Sequence, residues 1–257
     1  MLRMEEIPRR LGKIEKEERV IIFYACESGS RAWGFPSEDS DYDVRFLYLR
    51  SRDWYLSIDV EEKRDVIERP ISDMLDISGW DLRKALKLLR KSNPPLLEWL
   101  NSPIIYQEKL SIMERLRQLV PEYYSPVACL HHYLHMAEGN CREYLKGETV
   151  WVKKYFYVLR PLLAINWIEK ESTVVPMEFG ALVERCVKSS SLKQAIGNLL
   201  ERKRTGQELD RGPRIPAISD FIDSELERLK RTVIEGKSKP DSERLNEFFR
   251  WALDEVS

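Results

Sequence analysis

The chain of 257 residues sets 42 Lys and Arg against 43 Asp and Glu, for a formal net charge of -1, with 43% hydrophobic and 33% charged residues. That mixture suits a globular chain that buries a core without disulfide or metal staples, as one large domain or two small ones. The near-neutral balance argues against general adhesion to nucleic acid, so any such contact must be local.

The opening MLRMEEIPRRLGKIEKEERV holds no apolar stretch of secretory length. Later runs such as PLLAINWI fall far short of the roughly 20 residues that cross a bilayer, so a cytoplasmic protein with no membrane partner is expected. Cys26, Cys129, Cys141 and Cys186 are scattered and form no CxxC pair, which fits reduced thiols in packing roles.

Residues 19–25, RVIIFYA, are rich in β-branched and aromatic side chains and read as a strand. The turn-rich GSRAWGFPSEDS follows, with room for a short helix beginning at Ser30, and residues 43–49, DVRFLYL, read as a second strand. A third β-like segment includes Val66 and Ile67, is interrupted by Pro70 and ends near Ile77. After Trp80 the pattern turns helical: DLRKALKLLRKSNPPLLEWL sets Leu82, Leu86 and Leu89 near one face and Lys84, Lys87 and Lys91 largely on another. PEYYSPVACLHHYLHMAEGNCREYL, VWVKKYFYVLRPLLAINWIEK and FGALVERCVKSSSLKQAIGNLLERKR also read as helical, with Pro121, Pro126 and Pro161 restricting boundaries or bending segments. A loop-like DRGPRIPAIS then leads into a charged helical tail. This order predicts an α+β protein, with a sheet-bearing domain over residues 1–105, a helical domain over residues 106–257, and a substrate cleft between them.

Two aspartates stand at the threshold of the second strand. Side chains at i and i+2 of a strand share a face, so Asp41 and Asp43 can converge while Tyr42 points away. Paired carboxylates repel unless hydrogen bonds or a cation compensate them, and Mg²⁺ with substrate phosphates would do so in an oxygen-ligand site. Gly29 permits close backbone approach, Ser30 and the amides after it can meet a terminal phosphate or cap a short helix, and Arg31 adds positive charge, to phosphate or to Glu38. By alternation Arg45 falls on the Asp41 and Asp43 side, within reach of phosphate or of the carboxylates.

GSRAWGFPSEDSDYDVRF resembles the nucleotidyltransferase signature of the DNA polymerase beta superfamily, a Gly-Ser followed after a turn by Asp-x-Asp at a strand start. With DISGWDLRKALKLLRKSNPPLLEWL and KKYFYVLRPLLA it is similar to the bacterial and phage nucleotidyltransferases of the RNA repair pathway DNA polymerase beta family, over about residues 19–180. The resemblance implies a nucleotidyltransferase-like mixed sheet with flanking helices, followed by a helical region. It also implies that Gly29 and Ser30 handle an NTP triphosphate, to which Arg31 is the leading candidate to add its charge, and that Asp41 and Asp43 bind Mg²⁺ or Mn²⁺. A third carboxylate is best matched by Asp76, with Asp73 and Glu68 as competitors, and Lys154 is a further triphosphate contact. The reaction implied is NMP transfer to a hydroxyl with loss of pyrophosphate. An RNA end, a protein side chain and a small molecule all stand as acceptors, and a noncatalytic nucleotide- or RNA-binding module is the alternative. His131 and His135 share a helical face, yet HHYLH lacks the glutamate of HExxH, so zinc catalysis is not expected.

Overall fold

The computed structural model describes residues 5–206, 209–231 and 240–256. Two compact units are present: Met1–Ala32 with Asp41–Tyr124 and Ser238–Ser257, and Trp33–Ser40 with Ser125–Lys237.

The first unit opens on α1 (Glu6–Glu18), in which Ile7, Leu11 and Ile14 recur at helical spacing and are buried, and which ends on Arg19 in the left-handed region. β1 (Ile21–Glu27), α2 (Gly29–Ala32), β2 (Tyr42–Leu49) and α3 (Arg52–Tyr55) follow. The third β-like segment proves to be two strands, β3 (Val66–Glu68) and β4 (Leu75–Asp81), because Pro70 and a turn with Asp73 and Met74 at positive φ separate them. β4 runs beyond Ile77 through Ser78, Gly79 and Trp80 before α4 (Leu82–Leu89) and α5 (Pro94–Leu100). β5 (Ile105–Glu108), which no alternation in the sequence announced, and α6 (Leu110–Tyr123) complete this stretch.

The five strands run in the order β3-β4-β2-β1-β5. β2 and β4 are parallel and the other neighbours antiparallel, so the sheet is mixed. One face carries Ile22, Val44, Phe46, Tyr48, Leu75 and Ile77, packed with Ile7, Leu11 and Ile14 in a single apolar cluster. Burying each such side chain contributes about 1.5–3 kcal/mol before the entropy of ordering it is subtracted. Gly79 lies under the Phe46 ring, where a Cβ would come within 2.3 Å of ring carbons, so this strand position admits no side chain.

In the second unit α7 (Pro126–Tyr144) begins with Pro at its first turn and a Ser125 cap. β6 (Thr149–Trp151) pairs with β7 (Arg211–Pro213), and between them lie a 3₁₀ turn at Val152–Lys154, α8 (Tyr155–Glu171), α9 (Phe179–Cys186) and α10 (Ser190–Arg204). α8 is buried nearly all round and retains Pro161 within it, as suits a helix at the centre of a helical unit. Phe35, Phe156 and Phe179 gather against it, with Phe35 and Phe156 stacked at 4.7 Å. α11 (Pro216–Lys230) closes this unit, and α12 (Glu243–Glu255) belongs to the first, where Phe249 meets Tyr55 edge-on. Among the described residues no helix is long and apolar enough to cross a membrane.

Asp81, at the end of β4, caps α4 by accepting from the Arg83 amide at 2.8 Å and takes the Tyr55 hydroxyl at 2.7 Å. Burial nonetheless pushes its carboxyl up from 3.8 to about 6, since the low-dielectric surroundings disfavour the charged form more than these bonds favour it. A folded pKa above the unfolded one contributes stability that is complete below the unfolded value and lost as pH rises through the folded one. Asp81→Asn should therefore flatten the decline in unfolding free energy between about pH 4 and 6, by up to about 3 kcal/mol, in urea denaturation series across that range.

Candidate active site

The site is built where β1 ends and β2 begins. The Ser28 amide donates to the Asp43 carbonyl at 2.8 Å and the Asp43 amide to Glu27 Oε1 at 2.8 Å, which ties the turn to the second strand. Gly29 then adopts φ +60°, and a Cβ there would fall 2.0 Å from Asp43 Oδ2. The Asp43 carboxylate rests on the bare glycine Cα, which accounts for the Gly-Ser at this turn in steric terms.

β2 and β4 place Asp43 opposite Asp76 and Arg45 opposite Ser78. Paired residues of parallel strands face the same way, so the register brings the two carboxylates side by side on the face that also carries Arg45. The Arg45 guanidinium joins them: Nη2 donates to Asp43 Oδ1 at 3.2 Å and to Asp76 Oδ2 at 2.8 Å, while Nη1 donates to the carbonyls of Val44 at 3.1 Å and Asp76 at 3.0 Å. Burial raises the Asp43 pKa above its ordinary value, Arg45 opposes that rise, and the charges of Asp76 and Asp41 add to it.

Asp41 is exposed and immediately precedes β2. Its carbonyl accepts from Arg31 Nε at 3.2 Å, and the Arg31 guanidinium lies 3.8 Å from the Tyr42 ring centroid, which fixes the arginine beside the strand start. Ser30 is half-buried in the short α2. Asp73 is not in this group: it sits in the turn before β4 and pairs with Arg10 at 3.3 Å. Glu68 lies opposite Ser78 on β3 and pairs with Arg64.

Glu27 was invisible in the sequence as a site residue. It is fully buried, accepts from the Asp43 amide and the Tyr106 hydroxyl, and is pushed by burial up to about 7. Its one sequence signal is an acidic residue ending an otherwise apolar strand.

The remaining candidates, Lys154, His131 and His135, belong to the second unit, as does Trp33 of the signature. Lys154 closes the 3₁₀ turn, and its ammonium lies 4.5 and 4.6 Å from the ring centroids of Tyr144 and Tyr157. Trp33 packs between Phe35 and Tyr157 with the Arg160 guanidinium over its ring, an anchoring arrangement. His131 and His135 are exposed, and the His135 ring meets the His131 carbonyl at 2.8 Å. Lys203, unremarked in the sequence, is buried with Nζ 3.5 Å from Ser37 Oγ, and burial lowers its pKa.

Asp41, Asp43 and Asp76 offer carboxylate oxygen, a donor type that would suit Mg²⁺ or Mn²⁺, and the Arg45 guanidinium stands between Asp43 and Asp76. Among the described residues no three His, Cys, Asp or Glu side chains are gathered so as to hold a metal ion, so the structure brings Asp43 and Asp76 together but does not close Asp41 onto them.

The profile of the RNA repair pathway DNA polymerase beta family matches residues 4–251. The chain belongs to that family. The family is nucleotidyltransferase-like, and its match extends well past the stretch that carries the sequence resemblance, into α12. The uncharacterized protein YcgL of Bacillus subtilis (strain 168) is 51% identical over 254 residues, covering 98% of this chain and 97% of that one. A nucleotidyltransferase-like protein from Exiguobacterium sibiricum 255-15, known from a crystal structure, is 13% identical with a TM-score of 0.35 over 84% of this chain and 73% of its own.

Within this family member, Gly29→Ala tests the fit between turn and carboxylate. The left-handed backbone alone costs about 1–2 kcal/mol, and the added methyl displaces Asp43 from its contact. Guanidinium denaturation should show a loss of at least that size; an unchanged midpoint would mean that Asp43 does not rest on this glycine.

Proposed function

We propose that the protein transfers a nucleoside monophosphate from an NTP to a hydroxyl acceptor, with an RNA end as the foremost acceptor. The observation that carries this reading is the parallel register that sets Asp43 beside Asp76, directly behind a glycine turn that Asp43 itself touches. Two adjacent, partly buried carboxylates whose mutual repulsion must be offset suit a site that takes up cationic charge. The RNA end is favoured by the description of the family, which names an RNA repair pathway.

Each residue has a task in this reading. Gly29 lets the triphosphate approach the backbone, Ser30 supplies a hydroxyl, and Arg31 supplies positive charge from its seat on Tyr42. Asp41, Asp43 and Asp76 would hold divalent metal, which when bound neutralises the triphosphate and stabilises charge developing at the α-phosphoryl group. The acceptor oxygen bonds to the α-phosphorus, the bond from that phosphorus to the bridging oxygen breaks, and pyrophosphate departs with the electron pair. The hydroxyl proton passes to solvent by way of the Asp76 carboxylate. Most of the rate enhancement is positioning and electrostatics, so the chain's contribution lies in holding its carboxylates in place.

The test is transfer of label from each α-labelled NTP, with Mg²⁺ or Mn²⁺, into RNA, protein and metabolite fractions. Label should appear in RNA, and Asp43→Asn should reduce it by about 10²-fold or more, as expected when several kcal/mol of charge stabilisation are lost. Label in protein or metabolites alone would replace the acceptor and keep the reaction. Equal labelling by wild type and Asp43→Asn would refute the site. Lys154→Ala in the same assay reports whether the lysine that the resemblance assigns to the triphosphate contributes to nucleotide affinity.

A further inference from the structure

We propose that Arg45 is the resident counter-ion of the carboxylate group, so that a free divalent cation binds the site poorly and binds well only together with a triphosphate. The inference rests on the carboxylate reading above and adds an order of binding to it.

The guanidinium is not a loose surface partner. One nitrogen bridges Asp43 and Asp76 and the other is anchored on two backbone carbonyls, of Val44 and Asp76, so four acceptor atoms hold it. Its side chain is 17% exposed, against 28% for Asp43 and 30% for Asp76, which keeps the group the least hydrated of the three. The two carbonyls hold it in place independently of the carboxylates. A dication arriving at Asp43 and Asp76 therefore meets a positive charge that stays.

Charge arithmetic gives the consequence. Asp41, Asp43 and Asp76 bring three negative charges and Arg45 returns one positive, which leaves two to attract metal. Repulsion between the guanidinium and a nearby dication is appreciable at the effective dielectric of a partly buried site. A triphosphate brings several negative charges of its own and offsets that repulsion, so metal and triphosphate favour each other's binding through the same arginine. Without metal, the bonds from Arg45 tie the two neighbouring carboxylates to one guanidinium, which preserves their geometry between encounters.

The experiment is a Mn²⁺ titration followed by the electron paramagnetic resonance signal of free Mn²⁺, without nucleotide and then with inorganic tripolyphosphate. Wild type, Arg45→Met, Arg45→Lys and Asp43→Asn are compared. Arg45→Met should bind Mn²⁺ about tenfold or more tightly than wild type, whereas Arg45→Lys, which keeps the charge, should stay within about threefold. Tripolyphosphate should narrow the gap between wild type and Arg45→Met. Should Arg45→Met lose cooperative unfolding, Arg45→Gln, with amide donors for the two carbonyls, takes its place. Equal or weaker Mn²⁺ binding by the uncharged variant, or equal tightening by Arg45→Lys, overturns the counter-ion role. Failure of the underlying site has a different signature: Asp43→Asn would then bind Mn²⁺ in the presence of tripolyphosphate as wild type does.

Discussion

Two carboxylates side by side on neighbouring strands repel each other unless hydrogen bonds or a positive charge compensate them. In this protein the parallel pairing of β2 with β4 forces Asp43 and Asp76 together, and the Arg45 guanidinium compensates them from the same face. The rest of the site follows from that constraint. Asp43, held on one oxygen by Arg45, places its other oxygen against Gly29, and the turn carrying Gly29 is stitched to β2 through Glu27 and Ser28. The glycine, the arginine and the strand register are thus one mechanical unit.

The opposite face of the sheet explains why that unit stays in place. Val44, Phe46 and Tyr48 alternate with Asp43, Arg45 and Leu47 along β2, and bury themselves with Leu75, Ile77 and the apolar stripe of α1. A one-residue slip of β4 would send Asp76 into this core and expose Ile77, so the hydrophobic face enforces the register that the carboxylates need. Gly79 under Phe46 adds a steric condition that is met in that register.

Part of this was legible from local pattern. Both strands flanking the turn and the α+β class follow from period-two alternation, turn chemistry and the change to helical spacing after Trp80. Local pattern could not show that α1 covers the sheet, that β5 is a strand, or that Pro70 divides two strands rather than interrupting one. β5 is four residues long with no buried member, so alternation has nothing to mark it. Nor does composition reveal that Trp33–Ser40, in the middle of the signature, belongs with the helical unit, where Phe35 joins Phe156 and Phe179 and Lys203 reaches Ser37.

By itself the sequence determined which residue types stand at the turn and at the start of β2, because those properties depend on neighbours one to four positions apart. Tertiary structure decided which distant acid joins Asp43. The sequence preferred Asp76 but kept Asp73 as a competitor; the turn before β4 leaves Asp73 exposed on Arg10, and the parallel ladder carries Asp76 to Asp43. Tertiary structure also decided what Arg45 does, since alternation set its face while its two bonds to Asp76, on the neighbouring strand, exist only once the strands have paired.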